Sequence, residues 1–105
     1  MRYVVIFSRE AEDDLERLFD HILQRELESP TGDLDIAARA VQAIRQACDF
    51  LASNPFTCRK VGSSTFVREL IIPFGAAGYV AMFEIRDSNT IIIGAIRHQR
   101  ESDYH

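Results

Sequence analysis

The chain lacks any apolar run near the roughly 20 residues that cross a bilayer, so no helical membrane span is expected. Its opening, Met-Arg-Tyr-Val-Val-Ile-Phe-Ser, is too short an apolar run for a signal peptide, and acids follow at once. A cytoplasmic location is the resulting expectation. Cysteine is scarce: Cys48 sits in a helical pattern as a small apolar residue, Cys58 falls in a loop, and nothing calls for a bridge between them. There is no glycine-rich phosphate loop, zinc pattern, nucleophile elbow or catalytic Cys/His pair. His21, His98 and His105 have no ligand spacing, so neither a metal nor a cofactor is expected. Lysine is nearly absent, Lys60 standing alone, and the net charge is -4. That balance excludes a broadly basic, phosphate-reading surface.

The negative charge is uneven. Residues 1–55 carry 6 basic and 11 acidic groups, whereas residues 56–105 carry 6 and 5. Any contact with phosphate is therefore expected to be local and C-terminal. The 105 residues suffice for one domain, 1–105, with one core. No internal repeat or low-complexity segment divides it.

Arg2 to Phe7 is apolar on both faces and reads as a strand within a covered sheet. Ser8 follows as a helix N-cap, with Glu10, Glu12, Asp13 and Asp14 in or near the first turn, where the helix dipole favours acids. Ala11, Leu15, Leu18, Phe19, Ile22 and Leu23 repeat at helical spacing to about Glu28, opposite an acidic face that reads as solvated. Turn chemistry at Glu28-Ser-Pro-Thr-Gly-Asp33 starts a second helix near Asp33 or Asp35 that runs to about Ser53, and Asn54-Pro55 ends it. Residues 56 to 65 read as irregular. Three strands follow, over Phe66–Ile72, Gly78–Ile85 and Thr90–Ile96, each β-branched or aromatic and bounded by turn residues. The order is β-α-α-β-β-β, an α+β fold with a helix hairpin packed on a mostly antiparallel sheet.

Alternation puts Tyr79, Ala81, Phe83 and Ile85 on one face of their strand, and Val80, Met82, Glu84 and Arg86 on the other. A sheet face offering Val80 and Met82 is either a partner surface or a scatter of exposed apolar residues. The last strand ends in a polar cluster: Arg97, His98, Gln99, Arg100, Glu101, Asp103 and Tyr104. Together with Arg68 and the Arg59-Lys60 pair, this cluster holds what metal-free RNA cleavage needs. His98 could serve as base or acid, Arg68 and Arg100 as phosphate clamps, and Tyr104 as a stacking or proton-transfer group. The plainer reading is a polar tail that caps a strand and pairs with Glu101 and Asp103.

The whole chain resembles the RelE/ParE superfamily of toxins from bacterial type II toxin–antitoxin modules. The matching pieces are Tyr3 to Leu15, Ala52-Ser-Asn-Pro55, Arg68-Glu-Leu-Ile-Ile72, Gly78-Tyr-Val-Ala-Met-Phe83 and Ile96-Arg-His-Gln-Arg-Glu101, in that order and spacing. The resemblance implies a plasmid-stabilisation type of module: a growth-arresting toxin neutralised by a cognate antitoxin, through which alone operator DNA is bound. It also implies one of two targets. ParE-like members block DNA gyrase, whereas RelE-like members are metal-independent endoribonucleases that cut mRNA on the ribosome. RelE-like members are basic, so the acidic balance, the single lysine and the acidic helix hairpin favour the ParE-like branch. Arg68, Arg100 and Tyr104 fall near functional Arg and Tyr positions of the ribonuclease branch, although the tail is shorter here. On the gyrase reading, Arg59, Lys60, Val80, Met82, Arg97 and Gln99, with His98 and Arg100, are expected in the target or antitoxin contact.

Overall fold

In the computed structural model, which describes residues 2–100, two helices pack on one face of a five-stranded mixed sheet. The elements are β1 (Val4–Phe7), α1 (Arg9–Glu28), α2 (Asp35–Asp49), β2 (Arg59–Lys60), β3 (Val67–Phe74), β4 (Ala77–Ile85) and β5 (Thr90–His98). Two 3₁₀ turns, Phe50–Ala52 and Pro55–Thr57, lie between α2 and β2. The sheet order is β1-β5-β4-β3-β2. β1 runs parallel to β5 at one edge, and the other pairings are antiparallel.

The local chemistry is the one the residues call for. Ser8 caps α1, its hydroxyl accepting from the Ala11 N–H at 3.0 Å. α2 stops at Asp49, short of Ser53, because its last turn tightens into the 3₁₀ form ahead of Pro55. Arg59 and Lys60, expected in an irregular stretch, form a short edge strand opposite Glu69 and Arg68. Two polar residues carry no strand pattern of their own; the edge of β3 supplies their pairing.

The core lies between the hairpin and the sheet. Leu15 and Ile22 of α1 and Ala37, Ala40, Ile44 and Cys48 of α2 meet Ile72, Ala81, Phe83, Ile91 and Ile93 of the sheet. The alanines let α2 approach closely. Among the described residues, the sheet's other face carries no second layer. Val4, Ile6 and Ile71 are exposed on or beside it, but Val80 is buried. Arg97, the cross-strand partner of Val80, reaches diagonally over β4 toward Glu69 of β3 at 3.8 Å, and so covers the valine.

One irregularity sets the geometry of the C-terminal end. Met82 pairs with Ala95 but Phe83 pairs with Ile93, leaving Gly94 as an extra residue in β5. Such a bulge shifts the alternation by one. Ile91 and Ile93 face the helices before it; Ile96 and His98 face them after it. Arg97 consequently points to the open face and His98 to the helix side.

Candidate functional site

α1 carries a second stripe beside its core stripe: Asp14, Arg17, Leu18, His21, Ile22 and Arg25. These residues recur at three- and four-residue steps, so they share one side of the helix. The end of β5 faces them with Ala95, Ile96, Arg97 and His98, and Arg100 and Tyr79 complete the walls. Between the two elements lies a groove of about 520 Å³, within the range of ligand and peptide sites.

Asp14 fixes the groove's floor. It is 6% exposed, and one carboxylate oxygen accepts from the Ile96 N–H at 2.9 Å. The other accepts from the Arg17 guanidinium. Ile96 follows the bulge, where the ladder is disturbed, and the carboxylate takes the amide that the bulge turns toward the helix. Ser8 does similar work at the N-cap, six residues earlier: its N–H donates to the Ile93 carbonyl at 2.9 Å, and its hydroxyl lies 3.4 Å from the Gly94 carbonyl. The start of α1 thus holds both sides of the bulge.

His98 stands edge-on to the ring of its cross-strand partner Tyr79, at 5.6 Å and 88°. Its Nδ1 accepts from the Arg100 N–H at 3.1 Å. The neutral ring therefore carries its proton on Nε2, with Nδ1 engaged as an acceptor. Burial pushes the Tyr79 hydroxyl above its usual range, with the nearby Arg25 charge opposing that shift. Gln99 continues the pairing, its N–H donating to the Gly78 carbonyl at 2.8 Å.

Arg68 is elsewhere. It is 7% exposed on the helix side of β3. Its Nε donates to the Thr65 carbonyl, and its Nη1 donates to the carbonyls of Phe56 and Cys58, at 2.8 to 2.9 Å. Its guanidinium also stacks over Phe56 at 5.1 Å. Its partner on β4 is Phe83, four residues from the Tyr79 that pairs with His98. That separation is about 13 Å along the strand at ~3.3 Å per residue, before the lateral distance between β3 and β5 is added. Arg59 pairs with Glu69 at 2.9 Å on the open face, and Glu69 also meets Arg97. Lys60 is exposed beside Arg59, and Met82 is half-buried on the same sheet. Tyr104 lies outside the described residues.

The structure therefore brings His98 and Arg100 to one groove, turns the Arg97 side chain to the open face at its edge, and leaves Arg68, Arg59 and Lys60 at the far edge. Asp14, Arg17, His21 and Arg25 were not singled out from the sequence as site residues. The available signal was the four-residue repeat Arg17, His21, Arg25, set inside a helix whose outer face otherwise reads as acidic. No groups of His, Cys, Asp and Glu able to hold a metal occur among the described residues. Nor is any of their helices long and apolar enough to cross a membrane.

A family model described as the ParE toxin of the type II toxin-antitoxin system, parDE, matches residues 5–103. The chain belongs to the ParE toxin family. This ParE-family toxin is also 33% identical over 89 residues to Toxin RelE1 of Caulobacter vibrioides, covering 85% of this chain and 86% of that protein. Its fold is that of a chain in the chromosomal ParDE TA system from P. aeruginosa. The TM-score is 0.71 at 20% identity, over 92% of this chain and 96% of that one. The RelE/ParE resemblance of the sequence is thereby established. The chain is the toxin of a type II toxin–antitoxin module.

Proposed function

We propose that this toxin arrests growth by binding and blocking DNA gyrase, and that a cognate antitoxin neutralises it. One observation carries the choice: the buried Arg68 guanidinium is committed to three backbone carbonyls, and its place on the sheet is four residues along the strand from that of His98, about 13 Å at ~3.3 Å per residue. Phosphoryl chemistry on RNA needs a base, an acid and a phosphate clamp around one phosphate. The Nε and Nη1 donors of Arg68 could reach a phosphate only by abandoning Thr65, Phe56 and Cys58, and the side chain is 7% exposed. With Nδ1 accepting from the Arg100 N–H, that nitrogen of His98 is occupied in holding the backbone after β5. The net charge of -4 further opposes docking into ribosomal RNA. On this reading Arg97, His98, Gln99 and Arg100 form a protein-contact surface, with Arg59, Lys60 and Met82 on the adjoining open face.

A second reading, ribosome-dependent cleavage of mRNA, draws on the adjacency of His98 and Arg100 at the groove. Two assays on antitoxin-free protein separate them. Gyrase supercoiling should be lost while mRNA on translating ribosomes stays intact. Cleaved mRNA with unimpaired supercoiling would overturn the gyrase assignment.

A further inference from the structure

The sheet face opposite the helices, which no second layer covers among the described residues, is not a polar one. Val4, Ile6 and Ile71 are 60%, 45% and 38% exposed, and Val67, Met82 and Ile92 are half-buried between them. A hollow of about 250 Å³ runs beside Met82, Val67 and Ile92 to Gly94, where the bulge places a residue without a side chain. Charges of both signs are set among them: Arg59 and Arg97 with Glu69, and Arg86 with Glu84. The face is therefore close to neutral, whereas α1 on the other side carries eight acids. The registers also give the face a two-fold pattern. Met82 lies midway, level with Glu69 and Ala95. Two residues toward one end lie Ile71, Val80 and Arg97; two residues toward the other lie Val67, Glu84 and Ile92.

We infer that this face is the seat of a second copy of the chain, two open faces stacked about a two-fold axis that crosses the strands at Met82. The axis turns one row onto the other. Val67 then meets the partner's Ile71, and Glu84 comes beside the partner's Arg97, each contact made twice. Met82 meets the partner's Met82, and both flexible thioether chains have the hollows at Gly94 to fill. Nucleic acid fits less well, because a nearly neutral face gives a phosphate chain little to hold. At ~4.8 Å between strands and ~3.3 Å per residue the face measures about 20 by 25 Å, so the pair buries on the order of 1,000 Å². That is the lower edge for a specific interface, so the dimer is weak and reversible, dissociating at roughly 10 μM. Stacking hides Arg59 and Met82, which the gyrase reading places at the target contact. On that reading, which only this consequence rests on, the dimer is a reserve form that dilution releases.

Sedimentation equilibrium of the antitoxin-free toxin should show monomer giving way to dimer as the concentration rises through that value. Ile71→Lys should weaken the association at least tenfold, and Leu27→Lys, exposed on α1, should leave it unchanged. A residue on the axis meets its own copy. Mild oxidation should therefore link Met82→Cys into a disulfide-bonded dimer, and should link Ile6→Cys, on the same face but off the axis, much less. Matched far-ultraviolet circular dichroism and melting would show that the variants are folded. A chain still monomeric at about ten times the expected dissociation constant overturns the inference. So does a dimer that ignores Ile71→Lys and leaves Met82→Cys unlinked, which would place the contact on another face. If Ile71→Lys weakens antitoxin binding while the free toxin stays monomeric, the face is the antitoxin's instead. Mass and cross-linking are read without gyrase, so failure of the gyrase assignment would leave the dimer standing and remove only its consequence.

Discussion

Arg68 and Arg17 are both arginines on the helix side of the sheet, and their fates differ. Arg68 is buried, bonded to three carbonyls of the segment between α2 and β3, and stacked on Phe56. Arg17 touches one carboxylate and otherwise stands in solvent. The first holds an irregular stretch of chain to the sheet; the second leaves most of its donors available to a partner. Charge in a sequence is thus not a measure of readiness to bind. What decides is how many of an arginine's donors the fold already uses.

The comparison breaks most visibly at Arg68. Arg68→Ala strands three carbonyls in a partly buried setting and should cost about 3 kcal/mol or more of stability, read from urea denaturation. If instead stability holds and growth arrest disappears, Arg68 belongs with the functional arginines. Asp14→Ala should cost about 2 kcal/mol, since the Ile96 amide loses a charged acceptor in a buried place. Asp14→Asn keeps an acceptor and should cost roughly half as much. Hydrogen exchange at Ile96 would show whether the end of β5 is what loosens. His98→Ala and Arg100→Ala lie at the rim and should change stability by no more than about 0.5 kcal/mol, while growth arrest falls at least tenfold. A melting shift matching that of Arg68→Ala would erase the distinction between the two ends.

Two smaller effects sharpen the contrast between buried and exposed groups. Cys48 is fully buried, and desolvation pushes its thiol up to about 12. The unfolded thiol ionises near its ordinary value of 9.0, so stability should fall as pH rises above that value. A Cys48→Ala chain should show less of this alkaline loss. Glu26 is held below its ordinary carboxylate value by the Asp33 N–H and then by Arg25. Its contribution is present above pH 4.5 and is lost as pH falls through the lowered folded value. Glu26→Gln should flatten the acid side of the melting profile slightly, by the least of the changes named here.

Most of the architecture was written in local pattern. Ser8 announces α1, the Leu15–Ile22 stripe gives it a buried side, and the β-branched runs from Phe66 onward give the strands. These signals depend on neighbours in sequence. The features that shape the groove depend on neighbours in space. The bulge at Gly94 sits in a run of isoleucines that would read equally well without it, and it alone decides that His98 faces the helices and Arg97 does not. Asp14 looks like one more acid in a helix's early turns until Ile96, 82 residues away, supplies its amide. β2 has no pattern because its partner strand supplies the order. Val80 reads as an exposed apolar residue because nothing in a strand's alternation foretells that a long side chain two strands from Glu69 will lie across it.

The parallel pairing of β1 with β5 also fixes a timetable. Val4 is matched to Thr90, so the first strand made must wait for the last before it has a neighbour. The other strands of the sheet, β2, β3 and β4, likewise come from the second half of the chain. A nascent chain that has reached only the helix hairpin has no sheet to cover its apolar stripes and no wall opposite Arg17 and Arg25. Folding is then postponed until β5 has been made, as expected where distant segments must meet. The poison does not exist while it is being made; it comes into being when β5 is delivered, which is also the first moment at which an antitoxin has something to hold.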